Sequence, residues 1–151
     1  MCQRAEGRET TMLYPLAIEP GDGTHAFGVI VPDIPGCFSA GDTLQAAVEA
    51  AHEAIRGHLE LLAESDEDIP GASTIDALVQ RDDLQGCTWA LADIDVTPYL
   101  GKAEKINVTL PGRLLRRLDR AVAAGVFRSR SGALADGILR LLDEKQAHPH
   151  T

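Results

Sequence analysis

In "KINVTL", Lys105, Asn107 and Thr109 alternate with Ile106, Val108 and Leu110. On a β-strand the first set shares one face and the second set the other, because successive side chains point to opposite sides. A two-stranded ribbon fits the major groove of B-DNA, where ammonium and amide groups donate to guanine and adenine edges. The polar face therefore carries the chemistry of base reading. Further on, Ser129, Arg130 and Ser131 precede a second apolar-periodic stretch. Free N–H groups at a helix start there would point at a phosphate.

Other residue sets carry groups that could serve catalysis. Asp93 and Asp95 alternate on one side of a strand, and Asp22, Asp33 and Asp42 lie near strand ends. Converging carboxylates of this kind hold Mg²⁺ for phosphodiester cleavage, so a metal-dependent nuclease is the enzymatic alternative. Placement opposes it, since the first strand offers only Glu19, at its end. His52 and His58 are six apart, which misses the spacing that sets two ligands on one helical face. His148 and His150 fall in a tail that reads as frayed, and Ser39 beside Cys37 has no evident base. Cys2, Cys37 and Cys87 are odd in number and widely spaced, which fits reduced, structural thiols better than a disulfide framework or a metal site. No catalytic residue, metal or cofactor is expected.

The elements that position these groups divide electrically. Residues 1 to 100 hold four Lys and Arg against eighteen acids, a net of −14, whereas residues 101 to 151 hold ten against five, a net of +5. For 151 residues this asymmetry favours two small domains over one. No apolar run approaches the roughly 18 residues of a membrane span, and no charged start leads into an apolar block, so a cytoplasmic protein is expected. Residues 1 to 11 are polar and aperiodic and read as a disordered extension.

In the acidic half, "LYPLAIEP" and "HAFGVIVPDIPG" read as a hairpin of two strands turned by "GDG", with a short third strand at "GCFSAG". Leu44, Val48, Ala51, Ile55, Leu59 and Leu62 then recur at helical spacing, after a capping-box-like start of Asp42 and Gln45. "GCTWALADIDV" reads as a further strand. The order β-β-β-α-β implies an α+β layer: an antiparallel sheet with the helix packed on one face. Glu49, Glu53 and Glu60 fall on the helix's other face. They are either a solvated surface or a platform that steers a basic partner.

In the basic half, Pro111 ends the strand and Leu114, Leu115, Leu118, Ala121 and Val122 mark a helix stopped by Gly125. Ser129 or Ser131 caps a second helix, with Leu134, Ile138, Leu141 and Leu142 on its buried side. Such a unit is close to the size, about 40 residues, below which a chain buries too little surface to stand alone. A lone strand also leaves two open edges. Antiparallel pairing with its own copy would bury Ile106, Val108 and Leu110 and complete a ribbon over four helices.

Two resemblances follow. "KINVTLPGRLLRRLDRAVAAGVFRSRSGALADGILRLL", residues 105 to 142, looks like a ribbon-helix-helix DNA-binding domain. It implies that Lys105, Asn107 and Thr109 read bases and that Arg130, Ser131 and Gly132 form an anion-binding helix start. Arg113, Arg116, Arg117 and Arg120 lie partly outside the motif and stay unassigned. "YPLAIEP", "VIVPDIPGCFSAGDTLQAAVEAAHEAI" and "IPGAS", within residues 12 to 75, resemble the HicB-family antitoxin domain, most specifically in "PDIPGC…GDT". That resemblance implies a partial ribonuclease-H-like fold over residues 12 to 100, followed by the ribbon-helix-helix domain over 104 to 145. It further implies an antitoxin that neutralises a HicA-type, RNA-cleaving toxin and represses its own operon as a homodimer on operator DNA. Tetramers would follow if the acidic domains also pair. No toxin-contacting residue is singled out. The alternatives are a nuclease using Asp93 and Asp95, or a stand-alone ribbon-helix-helix regulator.

Overall fold

Strands form where apolar residues alternate or cluster between turn residues. In the computed structural model, which describes residues 10–147, β1 (Thr11–Glu19), β2 (Phe27–Ile30), β3 (Phe38–Gly41) and β4 (Thr88–Asp95) make one four-stranded sheet in the order β3-β2-β1-β4. β1 and β2 pair antiparallel, with Ala17 opposite Ile30 and Ile18 opposite Val29, and β2 pairs antiparallel with β3. The chain splits into two compact units, Met12–Leu100 and one that takes in the described residues before Met12 together with those from Gly101 onward.

Helix α1 (Leu44–Glu64) packs on one face of the sheet. Register fixes which face, because the Ser39 hydroxyl on β3 donates to the Ala47 carbonyl of α1 at 2.9 Å. Val29 and Ile18, level with Ser39 across the ladder, share that side. The opposite face is covered in part by the short helix α2 (Ile75–Leu78) and a 3-10 turn at Asp82–Leu84. Leu78 and Leu84 pack there with Ala17, Ile30, Cys87 and Trp89. Cover on both sides explains why Tyr14 to Ile18 are buried without alternation, as in sheets sandwiched between layers. The contact between β3 and α1 is close enough that only glycine fits at Gly41, where a Cβ would lie 2.4 Å from the Ala47 nitrogen.

Several details depart from expectation. β1 begins at Thr11, and Thr10 is buried, so the polar extension stops earlier than residue 11. Residues 1 to 9, with Cys2, and the tail holding His148 and His150 lie outside the described residues. Thr43, not Asp42, caps α1, its Oγ1 accepting the Ala46 N–H at 3.1 Å. Thr43 has the extended backbone a cap requires, with φ −121° and ψ 157°. The buried stripe of α1 is Ala47, Ala51, Ile55 and Leu59, while Leu44 is exposed. The close approach at Gly41 turns Ala47 rather than Leu44 inward.

The second unit holds α3 (Gly112–Ala123) and α4 (Arg130–Ala147). α3 ends where expected, in a Schellman turn. Gly125 takes φ +76°, its N–H bonds the Val122 carbonyl, and the Val126 N–H bonds that of Ala121. Ser129 caps α4, its Oγ accepting the Gly132 N–H at 3.0 Å. Residues 105–110, expected as a strand, have no ladder partner in the single chain and no assigned element. Ile138, Leu141 and Leu142, expected inside, are exposed, and Leu134 is only half-buried. All the buried hydrophobic residues of the described chain lie between Met12 and Val96. The second unit therefore has helices without a core of its own.

Candidate functional site

Lys105, Asn107 and Thr109 lie on an exposed segment, without assigned secondary structure, that leads into α3. Ile106 and Val108, between them, are 69% and 62% exposed, and Leu110 is half-buried. Six residues of alternating polarity thus run through solvent with their backbone groups unladdered.

At the start of α4 the expected anion site is partly filled by the protein itself. The Gly132 N–H is taken by the Ser129 cap. The Arg130 guanidinium forms a two-pronged pair with Asp119 of α3, Nε to Oδ1 at 2.6 Å and Nη2 to Oδ2 at 2.8 Å. This hydrogen bond, together with the guanidinium charge, holds the Asp119 carboxyl below the usual carboxylate range. Arg130 and Ser131, at the first two helical positions, keep main-chain N–H groups with no intrahelical acceptor. Asp119 was missed from the sequence because its partner is eleven residues away across a turn. Its standing as the sole acid in "GRLLRRLDR" was the available signal.

The remaining candidate residues have structural uses. His52 and His58 each bond, through Nδ1, the carbonyl one turn earlier in α1, Val48 and Ala54. Ser39 is committed to Ala47. Asp95 accepts the Thr97 N–H at 3.1 Å and shapes the turn after β4. Asp33 accepts the Ser73 N–H and hydroxyl at 2.8 and 2.5 Å, joining the "PDIPG" loop to the "IPGAS" segment. Tyr14, fully buried, reinforces that junction by donating to the Pro70 carbonyl at 2.6 Å. Asp22 is held down to about 2 by hydrogen bonds from Thr24 and His25 in the β1–β2 turn. Cys37 is buried, and burial pushes its thiol up. Among the described residues no group of three or more His, Cys, Asp or Glu could hold a metal ion, and no helix is long and apolar enough to cross a membrane. Glu49, Glu53, Glu60 and Glu64 are exposed along α1.

Residues 14–137 match the family described as the HicB-like antitoxin of bacterial toxin-antitoxin systems, a span that takes in most of the first unit and reaches into the second as far as α4. The chain belongs to the HicB-like antitoxin family. Antitoxins of this family are generally non-enzymatic. Among solved structures, this HicB-like chain is similar to the Burkholderia pseudomallei antitoxin HicB, at 41% identity and a TM-score of 0.69 over 87% of this chain and 98% of that one. It is also similar to the antitoxin HicB3, at 30% identity and a TM-score of 0.62 over 89% and 97% of the two chains. A curated relative, an uncharacterised 14.9 kDa protein in the rep-hol intergenic region of Haemophilus phage HP1, is 43% identical over 82% of this chain and 92% of its own length. The four-stranded sheet with its packed helix, followed by C-terminal helices, is the α+β arrangement shared with HicB structures.

Proposed function

We propose that this chain is the antitoxin of a type II toxin-antitoxin pair, neutralising a basic HicA-type toxin and repressing its own operon. The observation that carries the reading is the family match over residues 14–137, which spans the acidic unit and continues into the basic one. Residues 12–100, with a partial ribonuclease-H-like architecture, are the toxin-binding domain. Their net negative charge and the exposed Glu49, Glu53, Glu60 and Glu64 suit a basic partner, because opposed potentials steer encounter.

Residues 104–145 form a ribbon-helix-helix domain when two copies meet. A unit whose Ile106, Val108, Leu114, Ile138, Leu141 and Leu142 are exposed must cover them to persist in water. Antiparallel pairing of two 105–110 segments satisfies their backbone groups, buries Ile106, Val108 and Leu110, and turns two copies of Lys105, Asn107 and Thr109 outward toward a DNA groove. The Arg130 and Ser131 main-chain N–H groups then meet a phosphate. Both targets, operator DNA and a toxin acting on RNA, assign the protein to the cytoplasm.

The neighbouring reading frame is expected to encode a small basic protein, and co-expression with it tests the toxin claim. The two proteins should co-purify, with a complex mass equal to whole numbers of both chains. Recovery of this chain alone, while its neighbour is soluble and abundant in the same lysate, contradicts the claim.

A further inference from the structure

Four arginines of α3, Arg113, Arg116, Arg117 and Arg120, are all exposed and, among the described residues, make no ion pair. Their neighbours differ: Arg130 is paired with Asp119 and Arg140 with Asp136. At about 100° per residue the four fall within an arc of about 100° on one side of the helix. Leu115, Leu118, Ala121 and Val122 occupy the other side and are half-buried. Concentrating four like charges on one helical face is unfavourable in isolation, since repulsion at i, i+3 and i, i+4 spacing opposes the helix. Such a face calls for a polyanion.

The Asp119–Arg130 pair indicates which one. Asp119 flanks the stripe, and these five side chains line one surface concavity. Arg130 is the first residue of α4, so the 2.6 Å bond to Asp119 sets the α4 start against the edge of the stripe. The helix start proposed above to hold a phosphate and the arginine face are therefore one continuous surface. From Arg113 to Arg120 the stripe runs about 10 Å, at about 1.5 Å per residue. Phosphates of one strand advance about 3.4 Å along the duplex axis.

We infer that the Arg113, Arg116, Arg117 and Arg120 face of α3 is a second DNA contact, gripping backbone phosphates that flank the bases read by residues 105–109. The inference rests on the DNA-binding reading and extends it from the strand and the α4 start to α3. Asp119 limits the extent of this surface, holding Arg130 at its edge. Contacts of this kind add affinity without sequence preference.

The test compares the full-length protein with its Arg113→Gln/Arg117→Gln/Arg120→Gln variant. The probes are a duplex taken from immediately upstream of its own coding sequence and a random duplex of equal length, over a series of KCl concentrations. Affinity should fall by roughly 10- to 100-fold on both duplexes, with the ratio between them unchanged. The plot of log affinity against log salt should become less steep by about 2 or more. Arg113→Lys/Arg117→Lys/Arg120→Lys should keep most of the affinity and slope, because it keeps the charge, and the single variant Arg117→Gln should lie between. Wild-type-like affinity and slope in the triple Gln variant would overturn the inference while leaving operator binding intact. So would a Lys variant as weak as the Gln variant. A wild-type protein that binds neither duplex instead removes the DNA-binding reading itself.

Discussion

Substituting Gly41 and Gly57 by alanine should change stability in opposite directions. Both glycines have ordinary backbone angles, so the difference lies in what the added methyl meets. At Gly41 a Cβ would sit 2.4 Å from the Ala47 nitrogen, 2.7 Å from the Ala46 carbonyl carbon and 2.8 Å from the Ala47 Cα, all main-chain atoms of the first turn of α1. No flexible side chain can yield, so α1 must recede from β3 by about 1 Å to reach normal contact. That shift would stretch the 2.9 Å bond from Ser39 to the Ala47 carbonyl beyond hydrogen-bonding range. Overpacking of about 1–3 kcal/mol and loss of one hydrogen bond at about 1 kcal/mol give about 2–4 kcal/mol in total. For a unit of this size the expected fall in Tm is roughly 10–20 °C. At Gly57, on the exposed side of α1, nothing lies within 4 Å of an added Cβ. Alanine there should stabilise by about 0.5–1 kcal/mol through helix propensity. Urea unfolding followed by fluorescence of the sole tryptophan, Trp89, reads the right unit, because Trp89 packs on the sheet. A Gly41→Ala protein as stable as wild type, or more stable than Gly57→Ala, would refute the packing described for β3 and α1.

Three further outcomes are expected. Val108→Asp would place a charge at both copies of the proposed paired strand, and sedimentation should find a monomer at micromolar concentration with the Trp89 unfolding transition unchanged; a dimer of wild-type affinity would contradict the ribbon. Asn107→Ala should weaken binding to the upstream duplex by about 1–3 kcal/mol, roughly 5- to 150-fold in gel shifts at fixed salt, without affecting co-purification with the adjacent protein. Asp22, held down to about 2, lends stability to the β1–β2 turn that is complete above the ordinary carboxylate value of about 3.9 and is lost as pH falls from there through about 2. A carboxyl-carbon NMR titration with an Asp22 midpoint near 4 would contradict the Thr24 and His25 bonds.

What the sequence could and could not reveal follows from the range of each interaction. The three strands of the meander and α1 were legible because alternation and the 3.6-residue period act within a few residues. The start of α1 was misplaced by one residue, since Asp42 and Thr43 are both good caps and the choice depends on how β3 delivers the chain past Gly41. Helix α2 was not anticipated, because "IDAL" is too short to show a period and is fixed by Leu78 docking on Ala17. In the basic unit the helix ends at Gly125 and Ser129 were local and readable, whereas the ion pair of Arg130 with Asp119 was not. That pair and the Ser129 cap narrow the expected anion site, occupying the Arg130 guanidinium and the Gly132 N–H and leaving the main-chain N–H groups of Arg130 and Ser131. The alternation at 105–110 was plain, yet it makes no strand in one chain because a ladder needs a second strand.

Growth rescue tests the antitoxin role most directly. The product of the neighbouring reading frame, expected to be a small basic toxin, is induced from one promoter and this chain from another, in cells where both proteins are quantified. The account predicts arrest on induction of the neighbour alone and restored growth when this chain accumulates to at least equal amounts, with Asn107→Ala rescuing as well as wild type. Persistent arrest in the presence of equimolar, soluble antitoxin would contradict it.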